Sequence, residues 1–303
     1  SPRCQVVPLP QKQVAFVVDG QERLRWHAAD DAPRPFFFPL TGPSGLPLTR
    51  IGHPGAPNHD HHRSIWFAHN KVLGIDFWSD TTDAIIRQEQ WLAYQNGPEE
   101  ASMAVELGWY DGHDPAPLLK QKLITAIMPA DNHGVLIEIQ TTLKSIAESL
   151  ELEQTNFGLL AVRVAGSISA VFGDGVLTGS NGLQTEKKLF EKASAWMDYS
   201  GSVDTGVTEG LTYFDHPENV TYPSKWHVRD DGWMGASVCG DAPIMLYRDR
   251  PTTWRYMIHA HAGPASIEFA DQLADDFGRR PPFMIQPAKK SHHKYQIERT
   301  SNE

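Results

Sequence analysis

The chain has 303 residues, 40% hydrophobic and 21% charged, an ordinary globular composition with enough length to bury a core without covalent staples. Lys plus Arg number 27 against 37 Asp plus Glu, a formal net charge of −10 with no basic block, which argues against a nucleic-acid groove. No apolar run approaches the ~18–20 residues of a membrane helix, and two cysteines, Cys4 and Cys239, cannot form a disulfide framework.

Taken in chain order, the pattern is mostly strand. Short runs rich in β-branched and aromatic residues occur at 13–18, 101–109, 119–128, 135–143, 159–164, 209–214 and 253–258. Clusters such as Asn96-Gly97-Pro98, Asp131-Asn132-His133-Gly134 and Gly173-Asp174-Gly175 separate them. Val135, Ile137 and Ile139 alternate with Leu136, Glu138 and Gln140, which predicts a half-buried strand joined to 119–128 as a hairpin. Helix signals are few, and the best is 264–277: Pro264 suits a first turn, Ile267, Phe269 or Ala270, Leu273 and Phe277 recur at helical spacing, and Gly278 suits a stop. Beyond it, Arg279-Arg280-Pro281-Pro282 and the polar stretch 280–303 read as a loosely ordered tail. No repeat, linker or composition shift divides the chain. Length alone suggests about two domains; the continuous strand pattern instead predicts one domain over 1–303, two packed antiparallel sheets with long loops.

Fourteen His and nine Trp stand out in this acidic chain, since His does chemistry near neutral pH and Trp offers flat apolar contacts. Five of the 14 His fall within 53–69, as His53, His59, His61, His62 and His69. Pro54, Gly55 and Pro57 make the first half of this stretch a loop, and 64–68 reads as the start of a strand. The cluster therefore sits where a loop feeds a sheet. Two chemistries compete there. His59 and His61, as H-x-H on an extended chain, share a face and suit a divalent metal, with His259-x-His261 completing the set. Alternatively the imidazoles are acids and bases, with Arg63 binding an anionic or hydroxyl-rich group. Against both stands the plainer reading of loop imidazoles capping backbone groups.

Asp76, in Gly74-Ile75-Asp76-Phe77-Trp78, is either a carboxylate held near the His loop or the closing residue of a turn. Glu186 and Lys187 read as solvated strand residues. Residues 213–229 place His216, Trp226, His227 and Arg229 after a strand. If 226–229 is extended, Trp226 and Val228 point one way and His227 and Arg229 the other. An aromatic platform beside His and Arg suits a sugar, whose apolar face stacks while its hydroxyls bond in the plane; the competing reading is a core Trp. No dinucleotide fingerprint, P-loop, nucleophile elbow or C-x-x-C is present. Two lone cysteines, taken as inert, lean towards a reducing cytoplasm. A periplasmic or secreted form stays open if the N-terminus was trimmed.

Several blocks together resemble a known family. They are Pro39-Leu40, Gly45-Leu46-Pro47-Leu48-Thr49-Arg50, the run His59-Asp60-His61-His62-Arg63-Ser64-Ile65-Trp66-Phe67-Ala68-His69, Asp76-Phe77-Trp78, and the stretches 155–164 and 195–201. Phe214-Asp215-His216-Pro217-Glu218-Asn219, Tyr222-Pro223 and Trp226-His227-Val228-Arg229 complete them. They resemble the bacterial family often labelled "methane oxygenase PmoA", a domain of unknown function, with Ser64 standing where relatives are expected to carry Gly. The resemblance implies a β-sandwich whose relatives commonly accompany sugar-processing genes. It marks His59, His61, His62, Arg63, Asp76, His216, Trp226, His227 and Arg229 as cleft positions without catalytic roles. With strand count and length, it predicts an all-β fold, a large antiparallel two-sheet supersandwich like that of galactose mutarotases, with few short helices. The expected function is a carbohydrate-active enzyme of hydrolase, lyase or epimerase type acting on a glycoside or modified sugar. His61 or His62 is the expected proton donor and Asp76 or His227 the base. Arg63 and Arg229 are the expected clamps, Trp226 the platform, and His53, Trp66, Trp78 and His216 further binding residues. No organic cofactor is expected, nor a nucleic-acid or membrane partner. The alternatives are a metal-dependent enzyme using His59, His61, His259 and His261, and a non-catalytic sugar-binding module.

Overall fold

A computed structural model describes residues 1–53 and 55–301. Pro54 of the expected loop and the last two positions of 280–303 lie outside the described residues. Two eight-stranded antiparallel sheets form the architecture. In the first, the spatial order is Cys4–Leu9, Gln13–Val18, Gln21–His27, Phe36–Phe37, Ile65–His69, Gly158–Arg163, Trp233–Ser237 and Lys225–Arg229. In the second it is Val176–Gly179, Trp196–Asp204, Val207–Asp215, Thr252–Ala262, Val135–Ser145, Leu119–Pro129, Ala101–Tyr110 and Ile85–Gln95. This is the all-β, two-sheet fold that the sequence pattern predicts, and all seven expected strands are present within a few residues at their ends.

Period-2 alternation builds the core. Phe16, Trp26, Ile65 and Val162 of the first sheet meet Trp109, Leu123, Ile137 and Tyr256 of the second in one apolar cluster. Two short helices accompany the sheets, α1 (Glu186–Leu189) and α2 (Ile267–Arg279). The second starts three residues after Pro264 because Ser266 caps it, its hydroxyl accepting from the Phe269 amide.

The strand Val135–Ser145 departs from expectation. Its inward face is buried as predicted, but Leu136, Glu138 and Gln140 on the other face are also buried, at 5%, 0% and 7% exposure. Helix α2 covers one part of that outer face, packing Ala270 and Phe277 on Met128, Leu136, Trp196 and Met257. The stretch expected to be a loose tail covers the rest. Phe283–Pro287 and Tyr295–Arg299 pair as an antiparallel hairpin, laying Phe283 and Ile297 on Ala93, Ala104, Ile124 and Ala126. Within Arg279-Arg280-Pro281-Pro282, Arg279 ends α2 and Arg280-Pro281-Pro282 is a break between two ordered elements. Gln140 bonds both backbone groups of Phe283 at 2.8 Å. Glu138 takes Arg299 at 2.7 Å, Arg255 at 3.2 Å and Arg280 at 3.4 Å. Burial alone would raise the Glu138 carboxyl's pKa. The Arg299 bond and the three guanidiniums outweigh burial and hold it below the usual range. Among the described residues, no helix is long and apolar enough to cross a membrane.

Candidate functional site

The site grows from the outer face of the first sheet. Along Lys225–Arg229, alternation sends Trp226 and Val228 into the core and leaves His227 facing outward, as the sequence pattern predicts. In Gly158–Arg163, Leu160 and Val162 join the core while Ala161 and Arg163 face out. Arg163 pairs with Trp233 across the next strand. The His loop and the segment around Trp78 arch over this face. Together they border an open cavity of about 500 Å³. Trp78, Trp233 and Phe157 give it apolar walls, and His59, His61, His62, His227, Arg163, Arg229 and Asp231 supply its polar lining.

Ring packing fixes the imidazoles. His62 is 8% exposed, stacked on Trp66 and Trp233 at 5.4 and 5.8 Å, with His59 stacked on it at 5.0 Å. Burial, reinforced by the neighbouring charges of His61 and Arg163, pushes its pKa down to about 2, so it is neutral at pH 7. His61 accepts the Trp78 indole N–H on Nε2 at 3.1 Å. An indole N–H only donates, so in this arrangement the His61 proton resides on Nδ1 and the ring is neutral. Burial lowers the pKa of His227 to about 4, with Arg229 adding to the effect. None of these rings enters neutral pH as an imidazolium.

Arg163 is fully buried. Its Nη1 donates to Asp231 at 3.0 Å, while Nε and Nη2 have no partner. The Nδ1 atoms of His59, His62 and His227 are likewise buried and unpartnered. Buried polar groups are rarely left unsatisfied, because each lost water contact costs about 1–3 kcal/mol. Five such nitrogens beside one cavity form a preset pattern of donors and acceptors. At the rim, Arg229 lies over the Phe190 ring at 4.7 Å and donates to Glu186 at 2.8 Å. Glu186 is therefore not a solvated strand residue: it opens α1 and anchors this arginine.

Other expected site residues sit elsewhere. Asp76 accepts the Trp78 and Ser79 amides at 2.6 and 3.1 Å, so the turn reading holds; it sets the position of Trp78 and does not line the cavity. Arg63 is engaged with Asp80 at 2.5 Å, a carboxylate that also holds Arg34, and so braces the loop. His53 packs edge-on to Phe172 at 4.5 Å and is not among the lining residues. Trp66 lies beneath the floor at 1% exposure. Trp226, the expected platform, is a core residue whose indole donates to Ser194 O at 2.8 Å; the alternation that brings His227 to the cavity turns Trp226 away. His216 is buried under α2 with Nε2 3.1 Å from Phe277 O.

The two H-x-H pairs are not brought together. His59 closes a 3-10 turn, Pro57–His59, so the extended-chain alternation does not apply to 59 and 61. His259 and His261 line a separate cavity on the second sheet. Among the described residues, no group of three or more His, Cys, Asp or Glu could hold a metal ion. The sequence reading missed Arg163, Asp231, Trp233 and Phe157 as lining residues. Arg163 did leave a signal: a lone charge inside the apolar run Leu159–Val164. Cys4 and Cys239 are free and buried, and burial pushes the Cys239 thiol up to about 12.

A family model described as a family of unknown function, DUF6807, matches residues 13–275. No curated protein matches the chain. Solved structures similar to it include a GalM/aldose epimerase homologue from C. elegans, at 9% identity and a TM-score of 0.36 over 88% of this chain and 100% of that one. A heparan sulfate lyase, HepC, from Pedobacter heparinus matches at 8% identity and a TM-score of 0.37, over 95% of this chain and 39% of that one. A putative mutarotase from Salmonella typhimurium matches at 11% identity and a TM-score of 0.32, over 86% and 94%.

Proposed function

The chain belongs to the DUF6807 family of unknown function, and we propose from its site that it is a carbohydrate-active enzyme using neutral imidazoles as acid and base. The observation that carries this reading is the set of five buried, unpartnered nitrogens beside an aromatic-walled cavity. A polyhydroxylated ring satisfies such a set: its hydroxyls both donate and accept, and its apolar face lies on Trp78 or Trp233. His227 is the base, neutral at pH 7 with a free Nδ1. His61 donates through Nδ1–H, and Arg163 stabilises an oxyanion as it develops.

Asp231 is the one carboxylate lining the cavity among the described residues, and it is tied to Arg163. Hydrolysis with two carboxylates is therefore poorly supported, and an epimerase or lyase reaction, removing a proton from a sugar carbon, fits better. A panel of glycosides, uronates and oxidised sugars incubated with the protein, read by mass change and by NMR for altered stereochemistry, tests the proposal. His227→Asn and Arg163→Lys should each lower kcat on the converted sugar by roughly 10²–10⁴-fold. Turnover that survives both changes together would sink the assignment. Saturable binding with no turnover of any sugar would leave a sugar-binding module.

A further inference from the structure

The His259-x-His261 pair plays no part in the cavity above, yet it is built into a second one. Strand Thr252–Ala262 turns Ile258 and Ala260 into the core and presents His259 and His261 on the outer face of the second sheet. The register aligns Asp198, Thr212 and His259 in one row across three strands, and Ser200, Gly210 and His261 in the next. Gly210 keeps the place between Ser200 and His261 open; a Cβ there would come within 2.2 Å of the Ser200 hydroxyl. Across that gap His261 Nε2 reaches Asp198 at 2.6 Å, while its Nδ1 faces Ala262 O at 3.3 Å. Both ring nitrogens of His261 thus have acceptors. Burial opposes its charge, but Asp198 more than compensates and raises its pKa. The hydroxyls of Ser200 and Thr212 also donate to Asp198.

His259 is different. It is 3% exposed and its Nε2 has no partner. Its ring lies 5.3 Å from that of His261 and 5.7 Å from that of Phe269, which is 37% exposed on α2. A cavity of about 280 Å³ opens here, bounded by these rings, by Asp131 and Asn132 of the hairpin turn, and by Ser266 at the start of α2. It is somewhat smaller than the ~300–1,000 Å³ of sites for drug-sized ligands, so its occupant is a single small molecule. Charge does not favour an ion of either sign. His261 is answered by Asp198, and Asp131 opposes the positive end of α2.

We infer that this cavity is a second ligand site, taking one neutral sugar ring with its apolar face on Phe269 and its hydroxyls on His259 Nε2 and the Asp131-Asn132 turn. It stands apart from the proposed active site and does not depend on that reading. The test uses the full chain with isotope-labelled histidine, titrated with D-glucose, D-galactose and D-mannose, and separately with sodium acetate. The His259 ring resonance, assigned by its loss in His259→Asn, should move saturably with at least one sugar and not with acetate. Phe269→Ala, at an exposed position that threatens folding little, should weaken that binding by about tenfold, the upper range for one aromatic contact. His227→Asn should leave it unchanged. A His259 resonance that ignores all three sugars, follows only acetate, or responds equally in Phe269→Ala overturns the inference.

Discussion

Trp226 and His227 are adjacent in sequence and lie on opposite sides of the first sheet. Trp226→Ala removes a fully buried indole from the core and should destabilise the fold by about 3–5 kcal/mol, read as a lower denaturant midpoint. A ligand-site role for Trp226 would instead appear as lost sugar binding with an unchanged midpoint. Trp78 makes a finer prediction. Its indole N–H occupies His61 Nε2, so protonating His61 must break that bond. Trp78→Phe should therefore raise the His61 pKa, measurable by NMR titration; an unchanged value would show that the bond does not hold the ring neutral. The site was only partly legible at this scale. The His loop announced itself by density, and the 226–229 alternation was readable. Arg163 is 68 residues from Asp231 in sequence and meets Asp231 and Trp233 only because Gly158–Arg163 pairs with Trp233–Ser237, a pairing that no local pattern encodes.

Strands differed in legibility for a related reason. Central runs such as 119–128 and 135–143 are apolar on at least one face throughout, and their pattern is plain. The edge strand Ile85–Gln95 is half-exposed and reads IIRQEQWLAYQ, so neither alternation nor an apolar run marks it. Glu138 and Gln140 looked like a solvated face because their partners arrive from Arg255 and from residues 280–299, more than a hundred positions later. Glu138→Ala strands Arg255, Arg280 and Arg299 without their shared carboxylate. It should cost about 3–5 kcal/mol and speed amide exchange in Tyr295–Arg299 more than in the inner strands. Equal exchange in wild type and variant would mean the network does not hold the hairpin. Acid should act in the same direction. With its folded pKa depressed, Glu138 contributes stability above its unfolded value and loses it as pH falls through the folded one.

For the molecule as a whole, histidines set the acid limit before carboxylates do. Burial holds His69, His216 and His227 down to about 4, His259 to about 3 and His62 to about 2, against an ordinary value of 6.5. Each is neutral in the fold and takes a proton more readily when unfolded. Their contribution is complete above pH 6.5 and declines as pH falls towards the folded values. His261 runs the other way: its raised pKa gives stability that is present below 6.5 and lost as pH rises through the folded value. Five rings outweigh one, so the thermal midpoint should fall steadily from pH 6.5 to pH 5 at constant ionic strength. A flat midpoint over that interval would contradict the buried, neutral state of these rings.

The hairpin that covers the second sheet also orders events in time. During synthesis every strand of that sheet is complete by Ala262, before Phe283–Pro287 and Tyr295–Arg299 have been added. The surface awaiting the hairpin offers Ala93, Ala104, Ala126, Glu138 and Gln140 around two large aliphatic residues, Ile124 and the partly buried Leu92. A nascent sheet with that surface meets water through small and polar groups, with little greasy area to recruit a neighbouring chain. The late arrivals then convert a tolerable wet face into a sealed one, and Arg280 and Arg299 joining Arg255 on one glutamate make the final step selective for the right strand.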